Sequence, residues 1–168
     1  AGVTPRHARI ASDMRAAGID ANATGVLWAA RWRKLMWNIP FNGLSVALNA
    51  STRDLIDTPA TEALAALIMK EVYDAAAAFG RQLPADAIEA TLDHTREMVP
   101  YDSSMRLDYL AKRPMELRAI FEAPIAAARA AGVSMTRVEM LHHQLKFLDR
   151  LATGNSRLSR HALNGACR

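Results

Sequence analysis

ARWRKLMWNIPFNGLSVALN, residues 30–49, decides the fold. Lys34, Asn38 and Asn42 recur every four residues in it. On an α-helix that spacing stacks side chains on nearly one face, drifting about 40° per step. Trp32, Leu35, Met36, Trp37, Ile39, Phe41, Leu44 and Val46 surround the stripe. Most of the helix circumference is therefore apolar, the pattern of a buried helix. A buried ammonium and two buried amides must face partners, water or a ligand, because leaving them unpaired costs about 2 kcal/mol or more. The stripe is where chemistry is expected.

Working outward, this helix is expected to start near Thr24 and reach about Asn38, with Pro40 kinking or interrupting it and a helical pattern resuming toward Asn49. STRDLI (51–56) reads as a connector. Thr58-Pro59, with Glu62 beyond, opens a helix that carries Leu64, Leu67, Ile68, Val72 and Phe79 at helical spacing and stops at Gly80. Pro84 begins another, reaching about Val99. YDSSMRLDYLAKR (101–113) follows, then a helix over 114–131 ended by Gly132 and a last one near 135–152. No internal repeat is present, and β-branched runs with period-two alternation are absent. The chain reads as all-α.

The ends differ from the middle. The chain opens AGVTPRHAR without a methionine, passes through a short helix near 6–17 that Gly18 can cap, and reaches an extended piece near 19–24. A lone helix–strand fragment is a poor start for a helical domain. Residues 1–23 are therefore expected to be the end of a preceding domain or a linker, and 24–152 the helical domain. TGNSRLSRHALNGACR (153–168) has little apolar periodicity and reads as a loose polar tail.

Composition bounds the function. At 168 residues the chain suits one domain with a sizeable core. No apolar run approaches the ~18 residues of a bilayer span, and no secretory signal opens the chain. The lone Cys167 excludes an internal disulfide, compatible with a cytoplasmic protein. The net charge of +4 reads as a solvated surface; no basic run interleaved with aromatics supports nucleic-acid binding. Lys34 is one of only four lysines in an arginine-rich chain, which points to a need for its amine, whose pKa shifts readily on burial. His142 and His143 are adjacent, point about 100° apart on a helix and do not make a two-ligand metal face, so no metal is expected.

YDSSMRLDYLAKRPMELRAI (101–120) is the second concentration of short polar groups. Asp102 or Ser103 can cap a helix and leave Ser104 in its first turn, where backbone N–H groups favour an anion such as a substrate carboxylate. Asp108 lies one turn on, and Glu116 opens the following helix. Each also has a structural role available: Ser104 in the cap, Asp108 as a partner of Arg106 or Lys112, and Glu116 as compensation for a helix dipole. Lys34, Asn38 and Asn42 likewise suit an interhelical hydrogen-bond network as well as a ligand site.

Three blocks in order, WRKLMWNIPFNGLSVAL, YDSSMRLDYLAKRPMELRAI and AAARAAGVSMTRVEML, resemble the C-terminal domain of the ketopantoate reductase (2-dehydropantoate 2-reductase) family over roughly residues 24–150. The most specific signals are Lys-x3-Asn-x3-Asn after a Trp, and Ser-Ser-Met-x2-Asp followed by Glu. The resemblance implies an all-α, multi-helix domain of the ketopantoate reductase / 6-phosphogluconate dehydrogenase-like type. It implies an N-terminal Rossmann domain that binds NADPH and a 2-oxo acid substrate in the cleft between the two. Carried over, Lys34 matches the catalytic lysine, Asn38 and Asn42 the substrate-contacting asparagines, Ser104 the serine that binds the substrate carboxylate, and Glu116 the acid that holds the lysine. Asp108 fits a supporting position.

The chain departs from the family where Ile120-Phe121-Glu122 stands for the common Ile-Asn-Gly, and where Val133 stands for a common proline after Gly132. No Gly-x-Gly-x-x-Gly follows a strand, so this chain is not expected to hold NADPH by itself and should be silent without the Rossmann partner domain. The face left bare by that domain is expected to drive self-association and leaves room for a homodimer. A helical binding or oligomerisation module is the competing reading, in which the polar stripe is only structural. The enzyme reading needs Lys34 and Glu116 to meet beside an open cleft; the module does not.

Overall fold

A computed structural model describes residues 2–80 and 82–154. Its helices are α1 (Pro5–Ala16), α2 (Leu27–Ala47), α3 (Thr52–Asp57), α4 (Pro59–Ala78), α5 (Ala87–Glu97), α6 (Ser104–Leu110), α7 (Ala123–Ala130) and α8 (Thr136–Ala152). A five-residue π-helical segment, Arg118–Glu122, runs directly into α7. No strand occurs among the described residues, and residues 19–24, expected as an extended piece, pair with nothing in a sheet. The expected loose tail lies outside the described residues from 155 onward.

α2 is the axis of the fold, touching α3, α4, α5, α6, α8 and the π segment. Every residue from Ile39 to Val46 is buried, because those helices cover the C-terminal half of α2 on all sides. Its N-terminal half projects beyond them and is largely exposed. Of the two effects expected of Pro40, interruption does not occur: α2 runs through it as one helix. Gly43 explains how close the neighbours come. A Cβ there would lie 2.5 Å from Leu141 Cδ2 and 3.1 Å from Phe121 Cζ, so only a glycine lets α8 and the π segment pack against α2 at this point.

Residues 51–56, expected as a connector, form α3. Ser51 Oγ accepts the Asp54 N–H at 3.1 Å and Asp54 Oδ2 accepts the Ser51 N–H at 2.9 Å, a capping box that nucleates the helix and lets it bury Leu55 and Ile56. The Ser51 hydroxyl also donates to Asp54 Oδ2 at 2.7 Å, and that bond, helped by the Ser51 N–H, holds the Asp54 carboxyl below its ordinary value. The helix expected from 114 starts later, since Asp149 of α8 draws the Met115 N–H to its carboxylate at 2.8 Å and keeps 113–116 irregular. Gly18 and Gly132 end α1 and α7 with φ of 80° and 75°, as the sequence suggested. The start of α8 has no cap of its own; Glu71 of α4 accepts the Arg137 and Val138 N–H groups instead.

Candidate active site

The exposed half of α2 forms one wall of a groove of about 570 Å³. The segment from Glu116 through the π turn into α7 forms the other. Lys34, Leu35 and Asn38 line it from α2; Glu116, Ala119, Ile120, Ala123 and Pro124 line it from the far wall. Lys34 and Glu116, far apart in the chain, thus meet beside one open cleft. π turns add a residue to a helix and recur at functional sites; here the turn carries Ile120 and Ala119 into the groove.

The expected burial of the ammonium is overturned. Lys34 is exposed, because it lies on the part of α2 that projects past its neighbours. Asn38 is half-buried and Asn42 is 2% exposed, so the stripe descends from solvent into the core turn by turn. Among the described residues no ion pair joins Lys34 and Glu116 within 4.0 Å, and neither side chain makes a hydrogen bond to another described residue. Asn42 lies beneath the groove rather than in its lining, and its buried Oδ1 has no hydrogen-bond partner. An unpartnered buried acceptor carries a free-energy cost.

The second polar segment resolves differently. Ser103 caps α6, its Oγ accepting the Arg106 N–H, and it is fully buried against Ser45 at 2.6 Å between hydroxyls. Ser45 in turn donates to the Asn42 carbonyl at 3.0 Å, so a chain of hydroxyls ties α6 to α2 below the groove. Ser104 follows the cap, exposed and outside the groove lining. Asp108 is half-buried and bound to Arg113 at 2.7 Å rather than to Arg106 or Lys112; Arg106 is taken by Asp102. The groove therefore gathers Lys34, Asn38 and Glu116, and leaves out Asn42, Ser104 and Asp108.

Two lining residues were passed over in the sequence, Trp28 and Arg31, while Trp32 was read only as part of the apolar surround and the motif. Their signal was present, since positions 28, 31, 32, 35 and 38 follow the three- and four-residue rhythm of a single helix face. The His142 and His143 rings lie 5.8 Å apart between centroids, tilted by 33°. The His142 ring stacks on Phe121 with centroids 6.0 Å apart, and its Nε2 lies 3.4 Å from Glu122 Oε1 without hydrogen-bond geometry. Burial pushes the His142 imidazole below its ordinary value, opposed by the Glu122 carboxylate. Both residues at the departure from the family pattern, Phe121 and Glu122, are thus contacts of His142. Among the described residues no helix is long and apolar enough to cross a membrane.

Comparison with known proteins agrees with this architecture. The family model described as "Ketopantoate reductase PanE/ApbA C terminal" matches residues 26–149. A 2-dehydropantoate 2-reductase of Nostoc sp. (strain PCC 7120) is 43% identical over 148 residues, covering 88% of this chain and 46% of that protein. The crystal structure of the Methylococcus capsulatus 2-dehydropantoate 2-reductase superposes with a TM-score of 0.83 at 35% identity, over 90% of this chain and 49% of that one. The Geobacter metallireducens GS-15 enzyme gives 0.81 at 37% identity, over 86% and 49% respectively. The chain spans about half the length of these relatives. It belongs to the ketopantoate reductase family and carries the family's C-terminal, all-helical region.

Proposed function

We propose that the full-length protein is an NADPH-dependent reductase that converts a 2-oxo acid, ketopantoate in the first instance, to the 2-hydroxy acid, and that this chain supplies its acid catalysis and substrate binding. The observation that carries the reading is the convergence of Lys34, Asn38 and Glu116 on one groove in a chain of this family. With ketopantoate as substrate the reaction is a step of pantothenate biosynthesis, and a cytoplasmic location suits it.

A dinucleotide is cradled by a Gly-rich turn between a strand and a helix. No strand is found among the described residues, and Gly43 serves a helix crossing, so the described residues offer no such cradle. The nucleotide-holding residues are assigned to the rest of the full-length protein, a Rossmann domain packed beside α2. Bound there, the nicotinamide would supply the hydride. Within the groove, the Lys34 ammonium stabilises the negative charge that grows on the ketone oxygen and donates the proton that completes the alcohol. Glu116 orients the ammonium from the opposite wall once substrate closes the space between them. Asn38 donates an amide N–H to a substrate oxygen and so selects which carbonyl face is presented. Asn42, Ser104 and Asp108 remain proposed substrate contacts on the strength of the family resemblance.

The test is NADPH oxidation by the full-length gene product with ketopantoate and with Lys34→Ala. Turnover that falls about a hundredfold to ten-thousandfold in the variant supports the reading, the usual contribution of a positioned general acid. Unchanged turnover in the variant removes Lys34 from the mechanism.

A further inference from the structure

His142 is buried on α8, and the reaction scheme above gives it no part. Its Nε2 is buried without a hydrogen-bond partner, and Glu122 Oε1 stands 3.4 Å away. The ring lies almost parallel to that of Phe121, with 11° between their planes. Phe121 is itself fully buried, and its Cζ approaches α2 so closely that a Cβ at Gly43 would lie 3.1 Å from it. The Phe121 ring is thus gripped by α2 at its tip and by His142 on its face. Phe121 and Glu122 belong to the π segment, whose Ile120 lines the groove and donates its N–H to the Glu116 carbonyl at 3.3 Å. His142 therefore touches, from behind, the wall that presents Glu116, Ala119 and Ile120 to the groove. Both of its contacts fall where the chain departs from the common Ile-Asn-Gly pattern, so the ring to stack on and the acid beside it arrive together.

We propose that His142 is a positioning residue of the reductase, holding the π wall of the groove through Phe121 and Glu122 and releasing it on protonation; the assignment rests on the reductase reading above. The charged groups that act on the ring are Glu122 of the π segment and Lys146 and His143 of α8 itself. Elsewhere around α8, Glu71 of α4 is engaged with the Arg137 and Val138 N–H groups, and Asp108 of α6 with Arg113. Burial keeps the imidazole below its ordinary value, so near neutral pH the ring is uncharged and rests on Phe121. A charge on that ring is poorly solvated among apolar neighbours, and the half-exposed Glu122 carboxylate is the counter-charge in reach. As pH falls, the ring leaves the stack for Glu122, and Ile120 and Glu116 shift with the turn that carries them. Substrate binding then weakens in acid through a group that never touches the substrate.

The experiment follows the KM for ketopantoate of the full-length gene product against pH, for wild type, His142→Gln and Glu122→Gln. In wild type the KM should rise about threefold or more from about pH 7 to about pH 5, the size of coupling carried through packed side chains. His142→Gln should abolish that rise. Glu122→Gln removes the charge that favours the protonated ring, so its rise should move to lower pH. A merely structural histidine would change the KM at every pH alike and leave the shape of the profile untouched. A wild-type KM that is flat across this range, or a rise that stays in place in either variant, overturns the assignment. Should His142→Gln fail to fold, Glu122→Gln, altered at a half-exposed side chain, decides by whether its rise moves. A wild-type protein that reduces no 2-oxo acid fails the reductase reading itself, and the role of His142 with it; an active wild type whose profile ignores both substitutions overturns the His142 assignment alone.

Discussion

Lys34 and Asn38 could be picked out of the sequence because polar residues four apart in an apolar helix require an explanation, and both line the groove. What the periodicity misjudged was depth. It placed the ammonium in the core, but burial depends on which neighbours cover each turn, and nothing covers α2 before Leu35 as fully as after Ile39. Arg31 was passed over for the same reason: an exposed arginine is unremarkable until the opposite wall is known. Phe121 and Glu122 make sense only with His142 in view, a contact between segments distant in the chain. That contact carries a pH prediction. Burial lowers the His142 pKa below its ordinary value, while Lys146 and His143 add to the shift and Glu122 opposes it. Folding therefore favours the neutral ring, so the stabilisation is complete above about pH 6.5, the ordinary histidine value, and is lost as pH falls through the lowered folded value. Urea midpoints of the chain should drop between pH 7 and pH 5, and His142→Gln should flatten that slope. An unaltered slope in the variant would assign the pH dependence to other groups.

At the scale of elements, helix ends and hydrophobic faces were legible where local chemistry decides them. Thr58-Pro59 starts α4, and Gly18 and Gly132 close α1 and α7. The Ser51-x-x-Asp54 box was equally local, so α3 could have been read from it. The π segment could not, since it is shaped by Asp149 reaching across to Met115 and by packing against Gly43. Gly43→Ala should lower stability by roughly 1 kcal/mol. Overpacking Leu141 and Phe121 costs about 1–3 kcal/mol, and alanine returns up to about 1 kcal/mol in helix propensity. Chemical denaturation measures the net, and a stabilised variant would mean that Leu141 yields freely. The Ser45–Ser103 contact makes a sharper test of how α6 is tied to α2. Either single alanine leaves a buried hydroxyl short of a partner and should cost about 1–3 kcal/mol. The double variant should cost less than the sum of the two, and strict additivity would deny the coupling.

For the molecule as a whole, the fold class, the central helix and the family were all accessible from sequence, because three blocks in fixed order span most of the bundle. The cleft's composition was not, since its two walls come from opposite ends of the domain. α8 presents Met140, Phe147 and Leu151 to solvent, each more than half exposed, and α6 adds Leu110. Surface of this kind seeks a partner, and the 168-residue chain alone should self-associate, with a sedimentation mass that rises with concentration. A strictly monomeric chain at high concentration would contradict this.

The central claim is that the groove between α2 and the Glu116 segment is half of a reductase active site. NADPH oxidation by the full-length gene product, with ketopantoate, for wild type against Lys34→Ala, tests it most directly. The account predicts turnover that collapses in the variant while NADPH still binds. A full-length wild-type protein inert toward ketopantoate and other 2-oxo acids, or a Lys34→Ala variant as active as wild type, would contradict it.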